Sequence, residues 1–169
     1  MKLYTADNHW DHARILQLCN RPFKDLKEMQ DIIVGNWNSK VTDYDDVYIL
    51  GDFCFGASTF AEYALKLNGI KHFIRGNHDD EAYKKVQNMN LPKCYFHGDI
   101  HKVKDNGYRL VLCHYPIYEW EGLYKGAIHI HGHTHSNIGR SFKTNAYDVG
   151  VDLWNFVPVT LEEILNFKE

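Results

Sequence analysis

The sequence predicts an α/β protein, and three observations carry that prediction. Val47-Tyr48-Ile49-Leu50 and Lys71-His72-Phe73-Ile74 are runs of strand length. Between them, Thr59 to Asn68 is helical in pattern and Gly69 lies at its C-terminal side, so the three segments read as a right-handed parallel crossover. Several more strand-length runs follow this unit, which favours a mixed sheet, or two packed sheets, over a purely parallel one. The 169 residues suit a single domain spanning residues 1–169.

The elements follow in order. Lys2 to Ala6 is a short apolar strand, and Asp11 to Cys19 reads as a helix stopped by Asn20 and Pro22. Asp25-Leu26-Lys27-Glu28 has the form of a capping box. It opens a helix whose Leu26, Met29, Ile32, Ile33 and Trp37 share one face and belong to the core. After the crossover, Glu81 to Met89 reads as a helix. Ile100 to Val103 and Tyr108 to Cys113 are strands joined through Asp105-Asn106-Gly107, a hairpin signal. Ala127 to His131 and Ala146 to Asp152 are further strands, and Thr160-Leu161-Glu162-Glu163 is a second capping box before a final short helix.

Composition narrows the function classes. The formal charge of −3 gives no global positive field for nucleic acid or anionic lipid. No apolar run approaches a membrane span, and Met1-Lys2-Leu3-Tyr4 enters a strand pattern rather than a signal peptide. Cys19, Cys54, Cys94 and Cys113 lack CxxC spacing and read as reduced core residues in a cytoplasmic setting. Eleven histidines is a high number, and several fall where core strands should be. A buried imidazole without a partner is costly, and metal coordination satisfies several at once.

Five segments concentrate metal-binding residue types: Asp7-Asn8-His9, Gly51-Asp52, Gly76-Asn77-His78-Asp79, His114 and Gly132-His133-Thr134-His135. Asp7 and His9 share one side of an extended segment, because strand side chains alternate, so one ion can take both. His133 and His135 have the same spacing, but a turn after Gly132 could splay them toward different ions. Asp52, beside a glycine at a strand mouth, is a candidate bridge. Asn77 offers a neutral carbonyl oxygen. His78-Asp79 resembles an imidazole acid oriented by a carboxylate. Asp-x-His and Gly-Asp each occur in ordinary loops, whereas Gly-Asn-His-Asp and Gly-His-Thr-His are more specific. Four of the five segments follow predicted strands. The set suits two divalent ions bridged by one carboxylate, plus a proton donor, and hence a hydrolase.

In this order the motifs resemble those of the calcineurin-like metallophosphoesterases: Asp-x-His, Gly-Asp, Gly-Asn-His-Asp/Glu, His, Gly-His-x-His. The match runs from residue 7 to residue 135, and Val149-Gly150-Val151-Asp152 with Cys19-Asn20-Arg21-Pro22-Phe23 looks like a small bacterial and phage-type branch. The resemblance implies two packed mixed β-sheets flanked by helices, with the metals at one edge. It implies one ion on Asp7, His9, Asp52 and His135, and a second on Asp52, Asn77, His114 and His133. A hydroxide between the ions would attack phosphorus while His78, oriented by Asp79, protonates the leaving oxygen. Two ions ~4 Å apart would neutralise the phosphoryl oxygens and bring a bound water's pKa toward ~7. The nitrogen and oxygen donors, with no thiolate, suit Mn²⁺, Fe or Zn²⁺. Many relatives carry an acid or histidine shortly after Gly-Asp, where this chain has Phe53-Cys54-Phe55.

Residues outside the motifs have weaker assignments. His12, Arg21 and Tyr115 are candidates for substrate binding, with helix surface, capping or ion pairing, and packing as their ordinary alternatives. Arg75 precedes the Gly-Asn-His-Asp motif but strand alternation turns it away. Trp120 and Tyr124 read as packing residues more than as an aromatic wall. His129 and His131 read as outer support or core, and Asp148 and Asp152 as possible supports for a ligand histidine. The substrate expected is a small phosphoester, with diesters within reach. A non-catalytic interaction scaffold on the same fold, or a nuclease, is the alternative, and the acidic charge and missing cap domain disfavour tracking along nucleic acid. An amidohydrolase would open with His-x-His, and this chain closes with it. The sequence leaves the oligomeric state open.

Overall fold

The computed structural model describes residues 1–135 and 145–167. β1 (Lys2–Thr5), β2 (Asp46–Leu50), β3 (Ile70–Ile74) and β4 (Cys94–Phe96) form one sheet in that order. All its pairs are parallel. Each connection carries a helix, as parallel neighbours require. These are α1 (Ile15–Leu18) and α2 (Leu26–Lys40), then α3 (Ala57–Lys66), then α4 (Asp80–Val86). The second sheet runs β5 (Ile100–Asp105), β6 (Tyr108–Cys113), β7 (Ile128–His131), β8 (Ala146–Asp148). β5 and β6 are an antiparallel hairpin, reversed at Asn106 and Gly107 with φ of 45° and 84°, and β7 and β8 add in parallel. Only this second sheet is therefore mixed; the first departs from the expectation of two mixed sheets because no hairpin interrupts its helical crossovers.

Alternation along the strands builds the layers. Leu3, Val47, Ile49 and Phe73 face Met29, Ile33 and Trp37 of α2 and Phe60, Tyr63 and Ala64 of α3. Their neighbours Tyr4, Tyr48, Leu50 and Ile74 face Leu110, Leu112, Ile128 and Ile130 of the second sheet. The far side of the second sheet packs Val111 under Trp120, Leu123 and Ala127. The fold is thus two packed sheets flanked by helices. The chain after β8 returns to β1: Tyr4 and Val159 exchange backbone bonds of 2.7 and 2.9 Å, and Ala6 receives Val151 N–H and donates to Val149 O at 3.1 Å each. α5 (Leu161–Asn166) carries the full capping box at Thr160 and Glu163. None of the described helices is long and apolar enough to cross a membrane.

Local departures have local causes. Asp25 caps α2 through Glu28 N–H at 2.8 Å, but Glu28 reaches back to Lys24 N–H rather than to Asp25. The helix expected from Asp11 shrinks to Ile15–Leu18 because Asp7, His9 and Asp11 hold φ of 59°, 54° and 62°, a left-handed conformation that cannot open a helix. α3 and α4 begin one or two residues earlier than their patterns suggested, and β8 ends at Asp148 where the chain turns at Gly150. β4 is three residues on a sheet edge, too short to show a period.

Candidate metal centre

All five motif segments meet at one edge of the sandwich. β1, β2 and β3 deliver Asp7 and His9, Asp52, and Asn77 and His78 from their C-terminal ends, where α/β sheets place their sites. β6 and β7 deliver His114, His133 and His135 to the same edge. Asp7, His9 and His135 form one group, and Asp52, His114 and His133 another; in each, one potential ligand atom per residue lies within 4.8 Å of the others. Asn77 joins the second group, with Oδ1 3.0 Å from His114 Nε2. Asp52 lies between the groups. Its Oδ2 is 3.7 Å from His9 Nε2, and its Oδ1 is 3.5 Å from His114 Nε2.

The backbone is strained where these ligands sit. Asp7, His9, Asp52, His133 and His135 all have φ between 46° and 73°. Left-handed non-glycine residues cost free energy and persist where surrounding structure and function demand them. Close approach explains the motif glycines. A Cβ on Gly51 would come within 2.6 Å of His114 Nδ1, and one on Gly76 would overlap the Asp52 amide and Oδ1.

Outer hydrogen bonds fix which ring nitrogens turn inward. His114 Nδ1 donates to Leu50 O at 2.8 Å, which leaves the Nε2 lone pair facing Asn77 Oδ1 and, at 3.1 Å, His133 Nδ1. His135 Nδ1 donates to Asp152 at 2.8 Å, and its Nε2 faces His9 Nε2 at 3.3 Å. Buried Asp7 Oδ1 and His9 Nδ1 have no hydrogen-bond partner among the described residues. Acceptors converging on one another, beside an orphaned carboxylate oxygen, are what a cation would satisfy. The electrostatics agree. Burial pushes the Asp7 carboxyl well above the usual range and His9 down to about 2. Burial also opposes charge on His135, yet the hydrogen bonds to Asp152 and Cys19 and the Asp7 charge hold it up at about 10. A cation would stabilise the Asp7 carboxylate, bind His9 as the neutral imidazole that burial favours, and take the place of the proton that the surrounding acidic groups hold on His135. The residues present therefore fit divalent metal.

Two expected roles change. Asp79 does not touch the His78 ring. Its carboxylate accepts from Phe53 N–H at 2.8 Å, Cys54 N–H at 3.3 Å and Gly76 N–H at 2.9 Å, and so clamps the loop after β2 to the loop after β3. Burial pushes it up to about 7 against those donors. Arg21 does not face substrate, because its guanidinium is spent on structure. It donates to Asp152 Oδ1 at 2.7 Å and Oδ2 at 3.0 Å, to Asp7 O at 2.7 Å and to Asn8 O at 3.1 Å. It thereby sets Asp152, and through it His135.

The remaining candidates fall at or behind the edge. The side chain of His78 is 43% exposed, with Nε2 3.9 Å from Asp52 Oδ2 and its amide bound to Asp52 Oδ1 at 2.9 Å. His12 stands beside it, the ring centroids 6.5 Å apart. Tyr115, half exposed, lies 4.7 Å from the His133 ring and 5.0 Å from that of His114. His129 belongs to the core: its Nδ1 donates to Val111 O, and its Nε2 lies within hydrogen-bond distance of both Tyr115 O and the Ile117 N–H, which ties down the loop carrying Tyr115. Arg75 pairs with Asp99 and Asp80 away from the site. Asp148 accepts from Thr134 Oγ1 and from Gly150 N–H. Sequence reasoning gave no role to Phe55, whose ring lies 4.8 Å from both His12 and His78. Its signal was the aromatic residue standing where relatives of the resembled family carry an acid or histidine.

The fold and the site together define a class: a two-sheet α/β protein with a composite histidine–carboxylate centre at one sheet edge. The chain belongs to the same family as an uncharacterized protein of Methanocaldococcus jannaschii, with which it shares 34% identity over 99% of this chain and 92% of that one. It is also 27% identical to the Gene 66 protein of Mycobacterium phage L5, over 89% of this chain and 86% of the phage protein. A protein of unknown function from Aquifex aeolicus shares the fold, with a TM-score of 0.71 at 22% identity and 97% of each chain covered. No family model matches the chain.

Proposed function

We propose that this chain is a calcineurin-like metallophosphoesterase, a phosphoester hydrolase working with two divalent ions, Mn²⁺, Fe or Zn²⁺. The observation that carries this reading is the position of Asp52, whose two oxygens face two separate groups of ligand atoms. Asp7, His9, Asp52 and His135 would hold one ion, and Asp52, Asn77, His114 and His133 the other. When bound, the pair would neutralise phosphoryl oxygens and acidify water for attack at phosphorus.

The chain's own residues supply the rest. His78 stands beside Asp52 without belonging to either ligand group, and its exposed ring suits a proton donor to the leaving oxygen as the ester P–O bond breaks. Arg21, Asp152 and Leu50 O hold His135 and His114 in the tautomers that direct Nε2 inward. Asp79 keeps the loops bearing Asp52 and His78 in register. Substrates would be small phosphoesters, diesters included, rather than long nucleic acid. The four free cysteines suit a reducing, cytoplasmic setting. Chelator-stripped protein should lose turnover of bis-p-nitrophenyl phosphate and regain it with Mn²⁺. Full turnover by stripped protein would reject the proposal.

A further inference from the structure

We propose that Phe55 forms a subsite for the leaving group, and that the preferred leaving group carries a flat aromatic ring, as aryl and nucleoside esters do. The inference rests on the hydrolase reading above, and in particular on His78 as the proton donor. The loop after β2 passes from core to cleft. Phe53 and Cys54 are buried in the helix-side core, where Phe53 packs against Phe60 and Phe73. Phe55 is 43% exposed and belongs to none of the apolar clusters. Its neighbours are imidazoles. The ring lies 4.8 Å from that of His78 at 65° and 4.8 Å from that of His12 at 88°, and 6.4 Å from His9. Neither close imidazole lies parallel to the phenyl, so neither occupies it as a stacking partner.

The geometry then orders the substrate. A leaving oxygen that takes a proton from His78 must come within about 3 Å of it. With the Phe55 ring 4.8 Å from that of His78, a group attached to that oxygen and turned to this side of His78 reaches the phenyl. An aromatic group there gains an offset-stacked or edge contact and removes apolar surface from water. A small alkyl group is too short to cover the phenyl. 

The test uses ligands that cannot be cleaved. In benzylphosphonate and ethylphosphonate a methylene replaces the ester oxygen of phenyl and methyl phosphate. Calorimetric titration of Mn²⁺-loaded protein should show benzylphosphonate binding roughly tenfold more tightly, the scale of one aromatic stacking contact. Phe55→Ala should bring the two ligands to near parity by weakening benzylphosphonate alone, with metal content unchanged, and Phe55→Trp should keep the preference. Equal affinities in the unsubstituted protein, equal weakening of both ligands by Phe55→Ala, or binding of neither would overturn the proposal. Ester turnover with no Phe55-dependent preference rejects the subsite alone. A Phe55-dependent preference without turnover rejects the hydrolase reading alone.

Discussion

Replacing Arg21 with methionine should destabilise the fold rather than weaken substrate binding. The Arg21 side chain is 0% exposed, and its paired Asp152 carboxylate only 10%. Methionine keeps an apolar stem in the same channel but removes four hydrogen bonds to oxygen, at 2.7 and 3.0 Å to Asp152 and 2.7 and 3.1 Å to Asp7 O and Asn8 O, and a fifth to Met29 Sδ at 3.4 Å. Deleting one partner of a buried ion pair costs about 3–5 kcal/mol, because the remaining charge stays buried. For a domain of this size each kcal/mol moves Tm by about 2–4 °C, so the loss should be about 10 °C. Urea unfolding and calorimetry on chelator-treated protein measure it without linkage to bound metal. Arg21→Lys should fall between, since an ammonium cannot reproduce the fork. A substrate-binding arginine would do the opposite, raising KM with Tm shifted by less than about 2 °C, and that result would refute the reasoning.

Other substitutions separate the remaining roles. His78→Gln should keep its metal content and lose roughly 10²–10⁴-fold in rate on a poor leaving group, with a smaller deficit on a good one; loss of metal, or an equal deficit on both, would make His78 a ligand or phosphate binder. Gly76→Ala should unfold or misplace the Asp52 loop, seen as a lowered Tm, because its Cβ would overlap the Asp52 amide; an unchanged Tm would contradict the packing. His97 lies under His101 and bonds His72, which bonds Asp46, and burial with those two imidazoles holds it down to about 4 from 6.5. The unfolded chain therefore binds the proton first, so this contribution is complete above pH 6.5 and lost as pH falls toward 4. His97→Gln should flatten the fall in urea-unfolding stability between about pH 7 and about pH 5; an unchanged slope would place the acid sensitivity elsewhere.

The parts of this molecule that local chemistry dictates were legible in its sequence. The Asn106-Gly107 hairpin, the caps at Asp25 and Thr160, and the strands ending at Leu50, Ile74 and Cys113 follow from short-range sterics and alternation. The convergence of Asp7, Asp52, Asn77, His114, His133 and His135 was legible as well, since each motif follows or ends a strand and parallel strands share a carboxyl edge. What escaped depends on contacts distant in sequence. Arg21 meets Asp152 across 131 positions, and Asp79 meets Phe53 N–H across 26; no spacing rule anticipates either. The left-handed Asp7, His9 and Asp11 shortened α1 for the same reason, since the Asp7 and His9 N–H groups donate across the fold to Gly51 O and Asp52 O. β4 escaped because three residues carry no periodicity.

The central claim is that Asp52 is shared by two cations. Elemental analysis of Mn²⁺-loaded protein and of Asp52→Asn, after exhaustive desalting, tests it most directly. The account predicts about two ions per chain in the unsubstituted protein and weakened retention of both in Asp52→Asn, with turnover lost in parallel. A single ion in the unsubstituted protein, or two firmly held ions in Asp52→Asn, would contradict it.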